Sequence, residues 1–161
     1  MTLFKCGKVF QGRTWLMEIT PTLSNSSSKS YYPLDEESPV YDQIWGYIAE
    51  MDAACRQRDI DFLVVVFPTA FQLNSAKHPD VPQRVFGERA RKAEMNYTDL
   101  LPVYRQVCQN AAPGACEGYE NLLFADVWMH PNPLGHQLAA REIEVVMNKL
   151  VHRSGSDNMT P

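Results

Sequence analysis

The chain has 161 residues, 45% of them hydrophobic, which is enough for one domain with its own core and too apolar for general disorder. Fifteen Lys and Arg against 19 Asp and Glu give a net charge of −4. The basic residues are scattered, so the positive surface that nucleic-acid backbones select is missing from the pattern. The longest apolar run, residues 62–67, is far too short to cross a bilayer, and no charged start leads into an apolar segment with a small-residue cleavage site.

In chain order, residues 7–10 and 13–19 alternate imperfectly about Gln11-Gly12, which predicts a hairpin ending at Pro21. The polar, aperiodic residues 24–30 read as a flexible connector, so residues 1–30 are expected to be a hairpin-like appendage with a Ser-rich linker. Ser38-Pro39 is a helix start, and Tyr41, Ile44, Trp45, Ile48, Met51 and Cys55 form one apolar stripe behind it. Residues 61–68 are apolar at consecutive positions, as a parallel strand covered on both faces requires. The polar, Pro-rich residues 69–83 are expected to form a loop at that strand's C-terminal end, where open α/β sheets place their ligands. A surface helix over 84–94, a short strand over 95–99, a helix over 102–110 and a second short strand over 122–124 follow. Without any internal repeat, this order predicts a three-layer α/β/α arrangement.

Four cysteines, Cys6, Cys55, Cys108 and Cys116, have no metal-type spacing. Cys108 and Cys116 flank the turn-rich Gln-Asn-Ala-Ala-Pro-Gly-Ala, which suits either a disulfide or two ordinary thiols.

The densest chemistry lies in Asp126-Val127-Trp128-Met129-His130-Pro131-Asn132-Pro133-Leu134-Gly135-His136. Its prolines forbid a continuous helix, so Asp126 and His130 sit on irregular backbone. Asn132 is an N-cap and Pro133 suits a first helical position, after which Leu134, Leu138, Ala139, Ile143, Val146, Met147 and Leu150 recur at helical spacing. A carboxylate beside an imidazole is a general base with its orienting acid; the bland alternative is a loop histidine with a turn contact to Asp126. His136, in the helix's first turn where the dipole disfavours a cation, suits packing or capping. A metal held by Asp126, His130 and His136 would want a fourth ligand, and none is evident.

This run resembles the last block of the SGNH (GDSL-type) esterase and acyl-hydrolase superfamily, in which an Asp and a His precede Pro-Asn-x-x-Gly-His and a closing helix. The element order over residues 38–151 is similar to the C-terminal half of such proteins. The resemblance implies a partial flavodoxin-like parallel sheet and cofactor-free hydrolysis of O-acyl or O-acetyl esters of a carbohydrate or lipid. In it His130 is the catalytic base and Asp126 its orienter, with three residues between them where the family usually has two. The nucleophilic Gly-Asp-Ser block and the oxyanion Gly and Asn blocks have no counterpart. Gly155-Ser156-Asp157 reverses the order in an expected polar tail, and Ser75 is a loop serine.

The expectation is therefore an incomplete hydrolase fold. Residues 31–152 form its C-terminal part, residues 153–161 the tail, and the isolated chain is inactive. An exposed sheet edge would favour self-association; the sequence leaves the compartment open, an exported or periplasmic parent protein being compatible with it. The competing reading is a non-catalytic α/β module, binding or structural, derived from a hydrolase fold.

Overall fold

A computed structural model describes residues 36–73, 80–126 and 130–150 in full, and the backbone alone of 5–8, 15–19 and 151–156. Four strands form one sheet in the order β1 (Lys5–Lys8), β2 (Trp15–Ile19), β3 (Phe62–Val66) and β4 (Asn96–Asp99). β1 and β2 are antiparallel with Lys8 opposite Trp15, so the expected hairpin forms; its turn lies outside the described residues. β2 then pairs parallel to β3, from Trp15 opposite Phe62 to Ile19 opposite Val66, and the hairpin contributes to the sheet rather than hanging from it. β3 and β4 are also parallel, with Val66 opposite Asp99.

The reason β3 reads as an unbroken apolar run is visible in its packing, since all five of its residues are buried. Side chains alternate across a strand, and here the alternation feeds two separate cores. Phe62, Val64 and Val66 pack with Tyr41 and Ile48 of α1 (Pro39–Arg56) and with Val81, Val85 and Phe86 of α2 (Val81–Lys92). Leu63 and Val65 pack with Leu101 and Tyr104 of α3 (Leu101–Gln109), Leu123 and Phe124, and Leu138 and Ala139 of α4 (Pro133–Ser156). The fold is thus α/β, with helices on both faces of the central strand. No helix among the described residues is long and apolar enough to cross a membrane.

Three expectations are corrected. α2 begins at Val81 rather than at residue 84, and it buries Val81, Gln83, Val85, Phe86 and Ala90 instead of lying on the surface. Pro82 in its first turn, which reads as a loop residue in isolation, fits a position whose N–H would have no helical partner anyway. Residues 122–124 form no strand; the region makes only an isolated bridge between Phe124 and Pro131. α4 runs on to Ser156, so Gly155 and Ser156 end a helix instead of belonging to a tail.

Candidate active site

The start of α4 is fixed by the side chain of Asn132. Its Oδ1 accepts the backbone N–H groups of Leu134 and Gly135, both at 3.0 Å, satisfying two donors that a helix N-terminus leaves without partners. Its Nδ2 points the other way and donates to the carbonyls of Leu122 at 2.9 Å and Asn121 at 3.2 Å. The Asn132 backbone N–H donates to Leu123 O at 2.9 Å. The helix therefore abuts the 121–124 segment so closely that a Cβ on Gly135 would lie 2.5 Å from Leu123 O, and only glycine fits. The buried Tyr104 of α3 completes the junction, its hydroxyl donating to Gly135 O at 2.7 Å.

Directly before this junction, Asp126 and His130 meet. His130 Nδ1 and Asp126 Oδ2 are 2.7 Å apart, and Asp126 Oδ1 accepts the His130 backbone N–H at 3.2 Å. One carboxylate thus holds both the ring and the main chain of the same residue, despite the three residues between them; those three, Trp128 included, lie outside the described residues. The loop is closed behind the pair by the Ala125 N–H, which donates to His130 O at 2.8 Å. Because a carboxylate only accepts, Nδ1 carries the proton in this pair, and Nε2 is the nitrogen that has a lone pair to offer when the ring is neutral. Among the described residues Nε2 has no partner. The His130 side chain is 67% exposed and that of Asp126 37%, so attraction between the two in water contributes little stability, and their arrangement rests on hydrogen-bond geometry.

The remaining sequence candidates fall elsewhere. His136 is exposed in the first turn of α4, not packed, and among the described residues no group of three His, Cys, Asp or Glu side chains is gathered as a metal would need. Ser75, His78 and the side chain of His152 lie outside what is described; Asp80 is the exposed N-cap residue of α2. Cys108, at the end of α3, and Cys116 form a disulfide, which resolves the choice left open by their spacing.

Sequence reasoning did not single out Asn121, Tyr104 or Asp99. Asn121 Oδ1 accepts the N–H groups of Leu123 and Phe124 at 2.9 and 3.1 Å, shaping the segment that receives Asn132. Its only sequence signal was an Asn ahead of a short apolar run, the mark of an Asx turn. Asp99 ends β4, on the ligand-bearing side of an α/β sheet, and its Oδ1 accepts the Leu101 N–H at 2.8 Å. Burial pushes its carboxyl above the ordinary value against the pull of that hydrogen bond; Asp80 raises it further and Arg105 lowers it. Beside it, burial and then the Asp99 charge hold the Tyr97 phenol well above its usual range, and its hydroxyl donates to Gln83 O at 2.8 Å.

Fold and site together define an α/β protein with a carboxylate-imidazole pair on the loop that enters its last helix. Compared with known protein families, curated proteins and solved structures, the chain matches none.

Proposed function

We propose that the chain carries the acid/base half of an SGNH-type ester hydrolase, acting on O-acyl or O-acetyl groups of a carbohydrate or lipid. In this reading β2, β3 and β4 are the parallel part of a flavodoxin-like sheet. The observation that supports it is the 2.7 Å contact between His130 Nδ1 and Asp126 Oδ2 on an exposed ring. Nε2 of His130 takes the proton of the attacking hydroxyl as that oxygen bonds to the ester carbonyl carbon. The same proton passes to the leaving alkoxide when the tetrahedral intermediate breaks its bond to the alcohol oxygen. Asp126 holds the imidazole in the tautomer that does this and stabilises the transient imidazolium. The sequence offers no Gly-Asp-Ser, so the attacking hydroxyl belongs to water or to a serine outside these residues.

Turnover of p-nitrophenyl acetate tests the reading. With water as the attacking hydroxyl, the expected result is a slow rate in place of the inactivity that the missing serine block implies, and it falls by about 10²-fold or more in His130→Ala and by at least about tenfold in Asp126→Asn. A second reading, a non-catalytic module, is favoured by Asp126 Oδ1, which closes the loop on the His130 backbone whether or not the ring does chemistry. A cooperatively folded sample with no turnover, or with a rate indifferent to His130, would establish that module and remove the hydrolase.

A further inference from the structure

We propose that Asn132 is a positioning residue for His130, and that its side-chain amide, separately from its capping oxygen, sets the aim of the imidazole. The proposal rests on the hydrolase reading for its consequence in turnover, while its structural part stands on its own. The ring of His130 is largely exposed and so takes little orientation from packing on the described residues. What holds it is Asp126 on one side and the anchoring of its main chain on the other. Besides the contact of Asp126 Oδ1 with the His130 N–H, that anchoring has two points: the Ala125 N–H on His130 O, and Asn132 two residues further on.

At Asn132 every polar group is engaged. The backbone N–H binds Leu123 O and the backbone carbonyl accepts the His136 N–H, both at 2.9 Å. Oδ1 faces forward into the helix, and Nδ2 faces back to Asn121 O and Leu122 O. These two halves are chemically separable. Ser and Asp cap helices about as well as Asn does, because capping asks only for an acceptor. Neither offers the two amide protons that the carbonyls of residues 121 and 122 receive. A carboxylate there would set negative oxygens against two carbonyl oxygens and leave both without a donor. The helix would keep its cap, while the loop carrying Asp126 and His130 would lose its seat.

Asn132→Asp and Asn132→Ser therefore separate capping from positioning. The readouts are far-UV circular dichroism with thermal melting, ¹⁵N chemical shifts of the His130 ring nitrogens, and p-nitrophenyl acetate turnover. The expected result is a folded protein with wild-type helical content. Its Nδ1-protonated, carboxylate-bonded ring signature gives way to a mixture of tautomers, and turnover falls between about tenfold and about a hundredfold. Retention of the wild-type ring signature in both folded variants would overturn the proposal and leave Asn132 a cap. Failure of both variants to fold would also overturn it, by making the amide a requirement of the whole domain. If Ser alone fails to fold, the Asp variant decides. An absence of turnover in the wild-type chain removes the hydrolase reading, while the ring shifts still decide what Asn132 does.

Discussion

Strand β3 and the loop that enters α4 are held in place by opposite means. Every side chain of β3 is buried, divided between two apolar cores, and each such side chain contributes about 1.5–3 kcal/mol relative to exposure. The loop depends instead on a few side-chain hydrogen bonds: Asn121 to 123 and 124, Asn132 to 121 and 122, Tyr104 to Gly135, and Asp126 to His130. Each is worth about 1 kcal/mol net, but a partner left buried without its bond costs about 1–3 kcal/mol. The centre of the domain is thus redundant, and the junction is not. A single substitution in β3 should weaken the molecule without redirecting the imidazole, whereas one at the junction should redirect it at small cost to the whole.

The largest expected effect comes from the redundant side. Leu63→Ala should lower unfolding free energy by about 2–5 kcal/mol in denaturant melts, with the His130 ring shifts unchanged in the remaining folded protein. A change in those shifts would erase the distinction between the two regions. Gly135→Ala should be smaller and of informative sign. Alanine's better helix propensity would add about 1 kcal/mol, but a Cβ 2.5 Å from the Leu123 carbonyl meets backbone that no rotamer change relieves, and overpacking of this kind costs about 1–3 kcal/mol. A net loss of stability together with altered His130 shifts is expected; a more stable Gly135→Ala protein would show that α4 needs no close seat.

Asp99 yields the smallest effect and a third region against which to set the other two. Its carboxyl is raised by burial, so the folded state binds this proton more tightly than the unfolded chain does. The stability it contributes is full below the unfolded carboxylate pKa and is lost as pH rises through the folded value. An asparagine side chain at this position would still accept the Leu101 N–H without a charge. The melting temperature of Asp99→Asn, relative to wild type, should therefore rise as pH climbs above the ordinary carboxylate range and level once the folded-state carboxyl has ionised. A flat difference would mean that the fold does not raise this carboxyl.

How far these features were legible varies with the kind of signal. The apolar stripe from Tyr41 to Cys55, the unbroken run at 61–68 and the helical spacing after Asn132 are patterns among near neighbours, and each became an element of the expected kind, the strand over Phe62–Val66. The start of α2 was misread because Pro82 carries the same letter in a loop and in a first helical turn. The strand expected over 122–124 failed because an apolar run needs a neighbouring strand to pair with, and that segment instead closes on Pro131 and receives Asn132. Asp126 and His130 were legible as a pair from their spacing and surroundings; the carboxylate's second contact, to the His130 main chain, was not.

Local chemistry along the chain was enough to specify where α1 and α4 begin, which strand is covered on both faces, and that an acid and an imidazole share one loop. Such properties depend on neighbours a few residues away, through hydrogen bonds and periodic burial. The pairing of β2 with β3, the disulfide between Cys108 and Cys116, and the grip of Tyr104, Asn121 and Leu123 on the first turn of α4 belong to the folded molecule alone. They join groups whose complementarity is one of shape and direction in space, and no linear pattern encodes a direction until the two cores have brought the elements together.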